Sequence, residues 1–134
     1  MPAIPERDPL VGRWLRYAED DQLSAARLMA DPPLLAGVVF HSQQAAEKAL
    51  KAYLHALEVA SVPRTHRLRD LSQLVVRVGG GPAPDEAVDF LDTYSVSIRY
   101  PEVDLPVTEV GQEAIEHAEA IVSFVREQLG CNNA

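Results

Sequence analysis

Leu34-Leu35-Ala36-Gly37-Val38-Val39-Phe40-His41-Ser42-Gln43-Gln44-Ala45-Ala46-Glu47-Lys48-Ala49-Leu50-Lys51-Ala52-Tyr53-Leu54-His55-Ala56-Leu57-Glu58-Val59-Ala60 is a proline-free, alanine-rich stretch. Its apolar spacing predicts a single long helix. On an ideal wheel at about 100° per residue, with His41 at 0°, Leu35, Val38, Val39, Ser42, Ala45, Ala46, Ala49, Leu50, Tyr53 and Leu57 fall between about 40° and 180°. Small residues on such an arc let neighbouring helices approach closely. His41, Gln44, Lys48, Lys51 and His55 fall together on the other side, a polar ridge about four turns long. Lysine supplies charge and glutamine or histidine can read a base edge, so the ridge suits phosphate or nucleobase contact. The same ridge also reads as ordinary solvated helix surface, with Glu47 and Lys51 an i, i+4 pair.

Working outward, the ten prolines parse the rest of the chain, because proline breaks a helix interior. They stand at 2, 5 and 9, at 32 and 33, at 63, at 82 and 84, and at 101 and 106. Each intervening stretch reads as a helix. Asp8-Pro9 opens the first, which carries Trp14, Tyr17, Ala18, Ala25 and Leu28 on one stripe. Thr65 caps the third, with Leu68, Leu71, Leu74, Val75 and Val78 apolar, and Gly79-Gly80-Gly81-Pro82 closes it. A fourth spans about Asp85 to Tyr100, with Ala87, Leu91, Tyr94 and Ile98 on one face. Thr108 caps the last, which holds Ala114, Ala118, Ile121, Val125 and Leu129 and stops at Gly130. No stretch alternates with period two, so the expectation is an all-α, up-and-down bundle of about five helices. One domain covers residues 1–134, with its core about 9–130.

Composition narrows the function. Against 12 Lys and Arg stand 20 Asp and Glu, a net charge of −8, which excludes a uniformly basic surface for duplex DNA. The charge is uneven, however. Residues 68–134 carry all of the excess, while 41–69 hold Lys48, Lys51, Arg64, Arg67 and Arg69 against Glu47 and Glu58, with His41, His55 and His66 in the same window. A local basic patch on an acidic chain points to a confined anionic partner, unless these groups pair with acidic neighbours. Arg64-Thr65-His66-Arg67 sits at a predicted helix N-terminus, where backbone N–H groups favour an anion. Arg99 falls at the edge of the fourth helix's buried stripe, placed to pair with Asp92 or Ser95 or to enter a cleft.

Other chemistries are poorly supported. The single cysteine, Cys131, forms no internal disulfide and no paired-cysteine zinc site. The triple glycine lacks the Lys-Ser/Thr of a phosphate-binding loop. Glu113, Glu116 and His117 read as solvated charge rather than a metal half-site. Neither a signal segment nor a membrane-length apolar run is visible, which predicts a cytoplasmic protein.

The segment from Phe40 to Leu54 resembles the long motif of the prokaryotic HEPN domain family. Arg64-Thr65-His66-Arg67-Leu68 resembles that family's Thr-His-x-Leu, and Ile98-Arg99-Tyr100-Pro101 its Arg-Tyr-Pro, in matching order from about Trp14 to Leu129. The resemblance implies a five-helix bundle that commonly dimerises, set beside a minimal nucleotidyltransferase in a toxin–antitoxin-like pair. Other relatives are metal-independent ribonucleases with an Arg-x(4–6)-His motif. Here Asp104, Leu105 and Pro106 stand where the histidine would follow Arg99, so that motif is not intact. The expectation is therefore a non-catalytic, nucleotide-binding module with an ATP-like ligand, no required cofactor and no metal. Its candidate contacts are His41, Gln44, Lys48, Lys51, Thr65, His66, Arg99 and Tyr100. A ribonuclease acting as a dimer and a pure dimerisation scaffold are the alternatives, with RNA and a nucleotidyltransferase as partners to consider and neither membrane nor duplex DNA among them.

Overall fold

The computed structural model describes residues 8–100, 102 and 107–130. Five helices follow one another: α1 (Pro9–Leu28), α2 (Leu35–Ala56), α3 (Leu68–Arg77), α4 (Asp85–Ser97) and α5 (Thr108–Gln128). No strand occurs among the described residues, and the all-α bundle expected from the prolines is the fold. The Arg-Tyr-Pro proline at 101, the 104–106 positions and the Cys131 tail lie outside the described residues.

Helix α2 is the axis of the molecule. It packs against each of the other four helices, and 14 of its 22 residues are buried. Its alanines explain how. Ala45, Ala46, Ala49 and Ala52 are fully buried, and their short side chains let neighbours close in from several directions. Leu50, Leu54 and Tyr53 fill the remaining space together with Leu71, Leu91 and Ile121. Asp8 caps α1 by accepting from Leu10 N at 2.9 Å, with Pro9 at the first helical position, as the sequence predicts. The buried stripe of α1 is Val11, Leu15, Ala18, Asp21 and Ala25. Ala18 and Ala25 are buried as the sequence predicts, whereas Trp14 and Leu28 are only partly buried and Tyr17 is half exposed at 50%.

The bundle is up-and-down apart from one connection. Contacts of Trp14 with His55 and of Asp21 with His41 and Lys48 set α1 antiparallel to α2. The α2–α3 link instead returns along α2, so that His66 meets Gln43 and Glu47 while Gly80 meets Tyr53 and Leu57. The reversal begins where α2 ends, at Ala56 rather than Ala60, because Glu58 takes a left-handed conformation at φ 62°. At the far end, Tyr53 Oη donates to Gln128 Oε1 and accepts from Gly81 N, both at 3.0 Å. A Cβ on Gly80 would stand 2.6 Å from Val75 Cγ1, so the glycine run is a packing device between α2, α3 and α5.

Two predicted caps fall elsewhere. Thr108 is the first helical residue of α5, after Val107, with no side-chain cap. Thr65 precedes α3 by three residues; its Oγ1 accepts from Arg67 N and donates to Asp70 Oδ2. Asp92 of α4 caps α3 instead, accepting from Leu68 N at 2.8 Å and Arg69 N at 2.9 Å. Arg69 reaches back to Asp85 at 2.5 Å and to Asp89, which raises its pKa through those hydrogen bonds. The last helix stops at Gly130, φ 73°, as predicted.

Candidate functional site

Two carboxylates that the sequence did not single out organise the polar residues of α2. Asp21, on α1, is buried and receives Lys48 Nζ at 2.5 Å and His41 Nδ1 at 2.8 Å. Glu47, on α2 itself, is 4% exposed and receives Lys51 Nζ at 3.0 Å, Gln43 Nε2 at 3.2 Å and His66 Nδ1 at 3.2 Å. Each carboxylate therefore holds one lysine and one histidine. Removing one partner of a buried pair leaves the other charge buried and uncompensated, so Lys51 in particular is committed internally.

That commitment corrects the expectation of a solvated ridge. Lys51 is 8% exposed, with its ammonium 5.9 Å from the Trp14 ring centroid. Lys48 lies over Tyr17 at 6.0 Å. His55 stacks on Trp14, and Gln44 donates to Gln43 Oε1 at 2.9 Å. Phosphate contact by Lys51 would require breaking a buried pair, and contact by Lys48 would compete with Asp21. The helical wheel missed this because the partners come from α1 and from the returning link, which one helix's periodicity does not contain.

The groups still facing outward gather at the start of α3. His66, Arg67, Asp92, Ser95, Val96 and Arg99 line a cleft of about 330 Å³ between the N-terminus of α3 and the C-terminal turn of α4. Two features of the fold place them. Gln43 Nε2 donates to the His66 carbonyl at 2.6 Å, pinning the link to α2. The Asp92 cap then fixes α4 against α3. Arg67 and Arg99 are exposed and form no ion pair among the described residues. Asp92 is the acid of the cleft, and both of its oxygens face helix amides. The helix N-terminus expected to attract an external anion is thus already satisfied by an internal one.

Of the eight candidate residues, His66 and Arg99 meet in this cleft. Tyr100 follows Arg99 and is exposed at the end of α4, outside the cleft lining, and Thr65 is turned to Asp70 and Arg67. His41, Gln44, Lys48 and Lys51 belong to the carboxylate clusters instead. Sequence reasoning named Arg67 as basic surroundings and Asp92 and Ser95 as candidate partners of Arg99, but none of the three as a site residue; the cleft brings all of them together. No group of three or more metal-ligating residues is present among the described residues. His117 instead packs on Phe90, ring centroids 4.6 Å apart.

An all-α bundle with a central alanine-rich helix and an arginine- and histidine-lined cleft defines the class. Residues 11–128 match the model of the HEPN domain, and the chain belongs to that family. No curated protein and no solved structure matches it. No described helix is long and apolar enough to cross a membrane.

Proposed function

We propose that this HEPN domain is a non-catalytic nucleotide-binding module whose ligand places a phosphate between Arg67 and Arg99. The observation that carries the reading is the convergence of both guanidinium-bearing residues and His66 on one cleft whose acid is occupied with helix amides. Arginine's planar fork suits bidentate phosphate contact, and about 330 Å³ falls at the small end of ligand pockets. Partnership with a minimal nucleotidyltransferase in a toxin–antitoxin-like system, homodimerisation and a cytoplasmic location are part of the same proposal. The three family-like motifs support them.

A thermal-shift panel with ATP, GTP, AMP, a short RNA and sulfate tests the reading. A nucleotide at 100 times its Kd should stabilise the fold by about 2.7 kcal/mol, a shift of several degrees. Arg99→Ala should weaken that ligand by roughly 10- to 100-fold, the worth of a charged hydrogen bond. Absence of any nucleotide shift in the wild type, or the same shift in Arg99→Ala, rejects the proposal. One observation favours a second reading, RNA cleavage: His66, backed by a buried carboxylate, stands beside two arginines. Loss of an RNA substrate on incubation with the wild type but not with His66→Ala would select it.

A further inference from the structure

We infer that Glu47 is the positioning residue of the cleft, fixing the tautomer of His66 so that its outer ring nitrogen accepts a hydrogen bond from a ribose hydroxyl. This rests on the nucleotide reading and adds the class of nucleotide: a ribonucleotide, distinguished from its deoxy forms.

The inference starts from what Glu47 can do. Its other side-chain partners, Lys51, Gln43 and Gln44, are all nitrogen donors, so the carboxylate acts as an acceptor throughout. His66 Nδ1 lies 3.2 and 3.3 Å from its two oxygens. A nitrogen facing an acceptor-only group carries the proton, which makes the neutral ring the Nδ1–H tautomer. The remaining nitrogen, Nε2, then has a lone pair and no proton. It sits on the ring edge away from Glu47, in a side chain 65% exposed that lines the cleft.

The ring has little freedom to abandon this arrangement. Gln43, one turn before Glu47, holds the His66 backbone carbonyl at 2.6 Å, so main chain and side chain are tied to the same face of α2. Lys51 holds Glu47 Oε2 at 3.0 Å. In this state Nε2 repels a fully ionised phosphate oxygen, which also has only lone pairs to offer. What it can receive is an O–H or N–H donor. With Arg67 and Arg99 taking the phosphate, the ribose hydroxyls are the O–H donors that every ribonucleotide carries whatever its base. A site built to pair with a hydroxyl discriminates against an analogue lacking it, since its polar group is then left unsatisfied.

The experiment has two arms. The first is a calorimetric titration of the full chain with AMP, 2′-deoxy-AMP, 2′,3′-dideoxy-AMP and inorganic phosphate. AMP should bind about 5- to 10-fold more tightly than 2′-deoxy-AMP, one hydrogen bond's worth, and the dideoxy form should bind no better than the 2′-deoxy form. His66→Ala, an exposed and inexpensive change, should erase that ratio while phosphate still binds. Glu47→Gln should reduce it, because an amide can offer either oxygen or NH₂ and no longer dictates the tautomer. The second arm reads the ring nitrogen shifts of His66 by NMR in the ligand-free protein, assigned through His66→Ala. The wild type should show Nδ1–H, and Glu47→Gln a mixture with the Nε2–H form. Equal affinity for AMP and 2′-deoxy-AMP, or an Nε2–H wild-type ring, overturns this inference and leaves the nucleotide reading standing. No binding of any nucleotide or of phosphate overturns both.

Discussion

Asp92 joins fold and cleft through a single side chain. Its oxygens satisfy two of the backbone N–H groups that the start of α3 leaves open, and it does so from a different helix. Replacing it with alanine removes a cap worth about 1 kcal/mol, at most about 2. It also frees those amides to face the cleft. Asp92→Ala should therefore lower the midpoint of urea unfolding while strengthening inorganic phosphate binding. A variant that loses both stability and anion affinity would show that the cap organises the cleft more than it competes with it. Lys51 and Lys48 make a second contrast at this scale. Lys51→Ala leaves Glu47 buried without its cation, and should cost about 3 kcal/mol or more in chemical denaturation. Lys48, a quarter exposed, has His41 to share Asp21 and should cost less. Lys48→Ala is expected to leave AMP affinity unchanged, since its ammonium lies outside the cleft.

Helix ends are where sequence and structure part, and the reason is physical. Asp8-Pro9 and Gly130 were legible because their signals are local: a side chain capping its own helix, and a glycine in its own left-handed turn. Thr65 had the right chemistry for a cap, yet α3 begins after it because Asp92 supplies a better acceptor from outside the segment. No periodicity within α3 contains that information. The end of α2 is similar. Apolar residues continue through Leu57, Val59 and Ala60, but Glu58 turns left-handed and Val59 N bonds back to Leu54 O at 3.2 Å. A non-glycine residue in that conformation costs about 1–2 kcal/mol, partly offset in glycine by its freer unfolded chain. Glu58→Gly should accordingly raise Tm by a few degrees in a melt followed by circular dichroism. A lower Tm would mean that the Glu58 side chain contributes more than its backbone geometry costs.

Across the whole molecule, the family's long motif proves to be the core and its short motifs the rim. The resemblance from Phe40 to Leu54 falls on the helix that every other helix touches, which is why it carried the fold so well. His66 and Arg99 lie far apart in sequence, and their meeting depends on the returning α2–α3 link and the Asp92 cap. Such a juxtaposition is a tertiary fact, so the cleft was legible as ingredients but not as a place. An axis shared by all helices also predicts how the chain unfolds. Loss of any helix exposes α2, so near-ultraviolet and far-ultraviolet signals should share one midpoint. Ala49→Leu, inserting bulk where α2 is enclosed, should shift both together at a cost of about 1–3 kcal/mol.

Trp14 is the chain's single tryptophan, and both the Lys51 ammonium and the His55 ring lie within about 6 Å of its ring centroid. That placement gives the molecule a built-in optical gauge. Emission from the indole responds to charge held close to its face, and Lys51 is joined through Glu47 to His66 at the cleft wall. If a nucleotide occupies the cleft, its binding should be readable as a change in the colour or brightness of unlabelled protein, and a silent indole on addition of a ligand that calorimetry shows to bind would break the proposed link.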